Sequence, residues 1–297
     1  MSDKKAKTVI ALGYFDSVHN GHRKVILTAK KQAEKLNATL TVFTFGGNLK
    51  AKLLGVNEKV VYTPKEREKL LKGVGADTVF FAPVTDKFLS LGKLAFLNEL
   101  NRKYDICCYV SGKDYKFGKL GKGDVEYLKK YAILHGQTCV TVGDKNFEEQ
   151  KISTTRIKKL LTNGDVEKAN VLLGKPYFLT GTVISDRKVG RTLGFPTANL
   201  MVSLEKHPLK DGVYAGRIKV GGKNYRAVIN YGARPTFEVD ERKVEAHLLD
   251  FNGQLYGEQI TVIFDKYLRE IIKFSDTEKL KEQITKDVMA VRMGKYD

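Results

Sequence analysis

The sequence predicts two fold classes in one chain. Residues 1–174 read as an α/β unit with a parallel sheet. Residues 175–297 read as an all-β antiparallel barrel with a terminal helix. Three observations predict this. Strand-like and helix-like runs alternate up to about residue 143. Beyond residue 176, alternating apolar runs follow one another with glycine-rich turns and no helices between them. Lys175–Pro176 separates the two patterns.

The strands of the first unit are expected at Thr8–Leu12, Thr39–Phe45, Thr78–Ala82, Ile106–Val110 and Thr138–Val142. Helical periodicity fills the gaps at Lys24–Leu36, Pro64–Lys72, Lys93–Asn101 and Asp124–Leu134. Pro64 suits a first helical turn, with Thr63 as its cap. The second unit offers strands at Tyr177–Ser185, Val213–Val220, Tyr225–Tyr231, Val244–Phe251 and Ile260–Leu268. Gly221–Gly222 and Asn252–Gly253 supply turns. The last helix runs to about Met293 with Leu280, Ile284, Val288 and Val291 on one face, and Ser275 with Glu278 reads as its capping box.

Composition narrows the class. The chain has 297 residues, is 42% hydrophobic and carries a formal charge of +18. No apolar run approaches the ~20 residues needed to span a bilayer. The expectation is a cytoplasmic protein with no membrane partner. Lysines are interleaved with acids, as in Lys65–Glu66–Arg67–Glu68–Lys69, so the charge suits anionic small substrates and no nucleic acid is expected. Cys107, Cys108 and Cys139 lack metal-ligand spacing and read as reduced thiols.

Chemistry concentrates in five places. Gly13–Tyr14–Phe15–Asp16–Ser17–Val18–His19–Asn20–Gly21–His22 follows the first strand. His19 and His22, three apart on a first helical turn, share one side. Unpaired N–H groups there receive phosphate, and Gly21 lets the backbone approach closely. The loop Ser111–Gly123 carries Asp114, Tyr115 and Phe117, whose rings are expected to flank a flat ligand. Ser153, Thr154, Thr155 and Arg156 open a helix and form a second phosphate clamp. Gly190–Arg191–Thr192–Leu193–Gly194–Phe195–Pro196–Thr197–Ala198–Asn199 is a rigid loop. Its Thr197 and Asn199 offer magnesium the oxygen ligands that this ion takes. Glu245, on a strand face with His247, is a candidate general base. A Gly-x4-Gly-Lys-Ser/Thr loop is missing, so any kinase here holds its nucleotide otherwise.

The histidine turn resembles the signature of the nucleotidyltransferase superfamily. Together the motifs resemble the bacterial bifunctional riboflavin kinase/FMN adenylyltransferases along nearly the whole chain. The first half is similar to the adenylyltransferase module, through Gly13-x-Phe15-Asp16, His19-x-Gly21-His22, the Gly112–Gly123 loop and Ile152–Arg156. The second half is similar to the kinase module, through Gly190-x4-Gly194 to Asn199, Asp211–Tyr214, Asn230–Gly232 and Val244–Asp250.

The resemblance implies a Rossmann-like nucleotidyltransferase domain followed by a kinase barrel. It implies small-molecule substrates, with ATP as co-substrate and Mg2+ as the ion. Riboflavin is phosphorylated to FMN, and FMN is adenylylated to FAD with release of pyrophosphate. In the carry-over, Glu245 is the base, and Thr197 and Asn199 meet the metal and the ATP phosphates. His19, His22, Ser153 and Arg156 serve the phosphates of the other reaction.

Two departures stand out. The family usually has Gly where this chain has Ser17. An Asp-Pro-His-Pro-like pattern usually stands where this chain has Thr44–Phe45–Gly46–Gly47–Asn48–Leu49. They predict weakened adenylyl transfer, the alternative being a kinase with a degenerate first domain. A class I aminoacyl-tRNA synthetase fragment would need a Lys-Met-Ser-Lys-Ser-like loop, of which Lys151–Thr155 is a distant echo. A non-catalytic flavin- or RNA-binding regulator would not need Glu245, Thr197 and Asn199.

Overall fold

In a computed structural model of the protein, residues 5–56, 58–184, 194–233 and 242–294 are described. The first unit spans Met1–Thr154 and the second Thr155–Asp297. The expected boundary at 174/175 lies beyond two helices that the second unit includes.

In the first unit the order is β1 (Lys7–Leu12), α1 (Asn20–Lys35), β2 (Thr39–Phe45), α2 (Leu49–Leu54), α3 (Pro64–Val74), β3 (Thr78–Ala82), α4 (Asp86–Leu89) and α5 (Lys93–Lys103). Then come β4 (Asp105–Gly112), α6 (Val125–Leu134), β5 (Thr138–Val142) and the short pair β6 (Asn146–Phe147) and β7 (Gln150–Lys151). The expected parallel sheet forms, in the order β3-β2-β1-β4-β5. Central β1 is buried on both faces from Thr8 to Leu12, which is why it reads as a continuous apolar run. The strand order reverses between β1 and β4, and open α/β sheets bind ligands beyond the carboxyl ends at such a point. The histidine turn leaves β1 there. Ile10, Leu12, Phe43, Phe96, Tyr109 and Leu128 form the core beneath it.

The second unit opens with α7 (Thr154–Asn163), whose first residue belongs to the first unit, and α8 (Val166–Leu173). It continues with β8 (Tyr177–Ile184), β9 (Thr197–Val202), β10 (Gly212–Val220), β11 (Lys223–Ala233), β12 (Arg242–Leu248), β13 (Gln259–Arg269) and α9 (Thr277–Met293). The strands close into a barrel in the order β10-β11-β12-β9-β8-β13. Alternation sets the inside: Val244, Ala246 and Leu248 of β12 are buried, while Lys243, Glu245 and His247 face out. The hairpin turn Gly221–Gly222 has both residues at positive φ, 53° and 86°, as a two-residue turn between twisted strands requires.

Several expectations need correction. Asp276, not Ser275, caps α9: its carboxylate accepts from the Lys279 N–H at 2.9 Å, and the Ser275 hydroxyl donates to that carboxylate. A charged acceptor one residue closer to the helix displaces the hydroxyl. Thr197–Asn199 is not loop but the start of β9, paired with β12. The expected loop after the fourth strand begins later, because Ser111 and Gly112 still belong to β4. Helices α2 and α4, of 6 and 4 residues, are too short to show a period.

Candidate functional site

Two sites can be built, one in each unit. In the first, the turn after β1 is held in an unusual backbone shape. Phe15 and Val18 have φ of 46° and 45°, a region that side chains rarely adopt. Burial of both residues holds them there. A Cβ on Gly13 would stand 2.6 Å from the Phe15 ring, so only glycine lets that ring fold back. Asp16, 2% exposed, accepts a hydrogen bond from the Val61 N–H at 3.2 Å.

The turn's strongest support comes from α3. Arg67 is 0% exposed. Its guanidinium donates to the Tyr14 carbonyl at 3.2 Å, the Phe45 carbonyl at 2.7 Å and the Thr44 hydroxyl at 3.3 Å. Thr44 in turn donates to the same Tyr14 carbonyl at 2.6 Å. One buried cation therefore ties the loop beyond β1 to the end of β2. In the sequence Arg67 is one charge in the interleaved run Lys65–Lys69. The signal was there: Arg67, Leu70, Leu71 and Val74 share the buried stripe of α3.

His19 is the N-cap of α1, its Nδ1 accepting from the His22 N–H at 3.1 Å. That bond leaves the His19 proton on Nε2. The two imidazoles stack, with centroids 3.6 Å apart and planes 17° from parallel. Gly21 allows this: a Cβ there would lie 2.9 Å from His19 Cε1. Burial pushes the His19 imidazole down to about 4 and holds His22 well below its ordinary value, so both are neutral at pH 7. His22 Nδ1 is buried with no hydrogen-bond partner. Neutral rings and an unmet ring nitrogen suit a site that awaits an anion.

Ser17 and Thr154 join their hydroxyls at 2.9 Å, linking this turn to the Ser153–Thr154 segment. Thr155 and Arg156 open the second unit. The loop after β4 contributes differently from expectation. Tyr115 and Phe117 stack on each other, with centroids 5.7 Å apart and planes 18° from parallel, so they form one wall instead of two. They line a cavity of about 370 Å³ with Phe45, Leu49, Phe88 and Leu120. Asp114 pairs with Lys151, which also binds Asp144 at 2.9 Å. Asn48 caps α2 through the Ala51 N–H at 3.1 Å, and so shapes the cavity's edge.

In the barrel, strand register makes the site. Asn230 of β11 and Asn199 of β9 both stand opposite Glu245 of β12, forming one row across three strands. The Asn230 amide donates to Glu245 at 3.5 Å. Lys243, two residues back on the same face, pairs with the other Glu245 oxygen. The Asn199 and Asn230 amide oxygens are buried without partners. Thr197 lies opposite His247, which donates from Nδ1 to the Pro196 carbonyl at 2.9 Å. Thr197, Pro196, Phe251, Leu255 and Tyr256 line a cavity of about 330 Å³. Gly194, at φ 83°, leads into this segment. Gly190, together with Arg191–Leu193, lies outside the described residues. Among the described residues no group of three His, Cys, Asp or Glu side chains could hold a metal. The unmet Asn199 oxygen, in line with Glu245, is the better fit for an oxygen-loving cation.

A FAD synthetase family model matches residues 1–156, and a riboflavin kinase model matches residues 173–294. The bifunctional riboflavin kinase/FMN adenylyltransferase of Bacillus subtilis is 38% identical over 294 residues, covering 97% of this chain and 92% of that protein. Its counterpart in Listeria monocytogenes is 37% identical, covering 96% and 91%. The crystal structure of a protein from Streptococcus pneumoniae named for macrolide efflux superposes with a TM-score of 0.91 at 31% identity, covering 98% and 96%. No helix among the described residues is long and apolar enough to cross a membrane. The chain belongs to the bifunctional riboflavin kinase/FMN adenylyltransferase family, with a FAD synthetase domain ahead of a riboflavin kinase domain.

Proposed function

We propose that the barrel phosphorylates the riboflavin 5′-hydroxyl with ATP and that the α/β unit transfers AMP from a second ATP to FMN. The observation that carries this reading is the Asn230–Glu245–Asn199 row beside Thr197. Glu245 takes the hydroxyl proton as that oxygen bonds to the γ-phosphorus, and the bond from phosphorus to ADP breaks. Asn230 and Lys243 hold the carboxylate in place. Thr197 and Asn199 would hold magnesium, which neutralises phosphate charge when bound.

In the α/β unit an FMN phosphate oxygen attacks the α-phosphorus of ATP, and pyrophosphate leaves. His19 Nε2–H donates to phosphate oxygens as charge builds on them, and His22 adds a second imidazole. Ser153 and Thr154 bind the phosphate chain. Asp16 and Phe15 fix the turn that presents them. The isoalloxazine ring lies against Tyr115, in the aromatic cavity that also holds Phe117 in its wall. A cytoplasmic setting with small-molecule partners suits ATP-dependent chemistry and reduced thiols.

One chromatographic assay tests both halves. Purified protein with riboflavin, ATP and magnesium forms FMN, then FAD. With FMN in place of riboflavin, it forms FAD and pyrophosphate. Absence of FMN in the first reaction rejects the kinase assignment, and absence of FAD in the second rejects the transferase assignment.

A further inference from the structure

We infer that Ser17 is a positioning residue for adenylyl transfer, acting through the Thr154 hydroxyl on the triphosphate of ATP. The inference rests on the transferase reading above. On the sequence alone Ser17 counts against that activity, and its contact gives it the opposite role.

Three observations carry it. Ser17 is 1% exposed, and its hydroxyl meets the Thr154 hydroxyl at 2.9 Å. A hydroxyl has one proton to give and two lone pairs to receive. When Ser17 donates to Thr154, the Thr154 proton is left to point at an anion. Each bond in such a chain polarises the next, so Thr154 becomes a stronger and better aimed donor. Second, the site already has an unmet nitrogen at His22 Nδ1, buried beside the stacked His19. A polar ligand is therefore expected within this turn. Third, the pair ties the two sequence segments that carry phosphate-binding residues, Gly13–His22 and the Ser153–Thr154 start of α7. Their spacing is then set before ATP arrives, which removes an ordering cost from binding.

The experiment uses the full chain with Ser17→Ala, Ser17→Gly, Thr154→Val and the Ser17→Ala/Thr154→Val double variant. FAD formation from FMN is measured over a range of ATP concentrations, with FMN formation from riboflavin as the internal control. Ser17→Ala is expected to lower kcat/KM for ATP in FAD formation about tenfold, as for a lost hydrogen bond to a charged group. FMN formation and the thermal midpoint stay as in the parent. In the Thr154→Val background the same change costs nothing further, because the relay is already cut. A merely structural Ser17 would instead lower the thermal midpoint and add its cost to that of Thr154→Val. That result overturns the proposal. So does unchanged or faster FAD formation in Ser17→Ala, or in Ser17→Gly should the alanine variant not fold. A parent protein that makes FMN but no FAD overturns the transferase reading itself and this inference with it. A parent that makes FAD while Ser17→Ala equals it overturns this inference alone.

Discussion

The two sites are built by different means. In the barrel, Asn230, Glu245 and Asn199 stand in one row because neighbouring strands share a register. Hydrogen bonding between backbones sets their spacing, and side chains add little to it. In the α/β unit, the proposed phosphate-binding histidines sit on a turn with two side-chain-bearing residues at positive φ. Gly13, Phe15 and His19 shape that turn from within, through side-chain and backbone contacts instead of a strand register. Arg67 from α3 braces it from outside. A site made by register resists changes elsewhere in the fold, whereas a site made by a braced turn inherits the stability of its braces.

That contrast can be broken in several ways. The largest effect is expected at Glu245. Glu245→Gln should lower FMN formation by roughly 10²–10⁴-fold, the usual contribution of a general base, while FAD formation from FMN continues. Steady-state assays of both products check it, and full kinase activity in that variant would reject the assigned base.

Next come the imidazoles. His19→Asn should lower FAD formation by about 10²–10³-fold, as for a lost transition-state donor, without touching FMN formation. Equal losses of both products would mean that the two sites are not chemically separate.

Arg67→Met sharpens the point about braces. It removes the Arg67 donor from the Phe45 carbonyl, at a cost of about 1–3 kcal/mol, while Thr44 still donates to the Tyr14 carbonyl. Differential calorimetry should show the α/β unit melting earlier with the barrel transition unmoved. FAD formation would fall while FMN formation holds.

The smallest effect concerns pH. His19 is held down to about 4, against an ordinary value of 6.5, and His22 is lowered in the same direction. Between those pH values the unfolded chain binds protons that the folded chain refuses. The contribution of these histidines to the stability of the α/β unit is therefore fully present above about pH 6.5 and is lost as pH falls toward 4. Denaturant titrations across that window should show a shallower decline in His19→Asn. Among the described residues the barrel unit has no buried histidine pair, so that unit should lack this component.

The asymmetry also explains what could be read from residues alone. Strands β1, β2, β3 and β5 were expected within a residue of their observed limits, because apolar runs between turn formers report burial directly. Glu245 and His247 were placed on one strand face by simple alternation, and the structure agrees. The Thr197–Asn199 segment was expected as loop, since glycines and a proline before it mask the start of β9. Tyr115 and Phe117 were expected to flank a ligand, but spacing in a loop cannot say whether two rings face a gap or each other.

The sequence by itself determined the two fold classes, the five strands of the parallel sheet, and the motif residues that mark the family. Periodicity, turn chemistry and short spacings are local properties, and they survive without knowledge of the folded chain. Only the tertiary structure decided that Arg67 is a buried brace, that Ser17 meets Thr154, and that both imidazoles are neutral. Those facts depend on partners distant in sequence and on exclusion of water, and neither is written in any local stretch of residues.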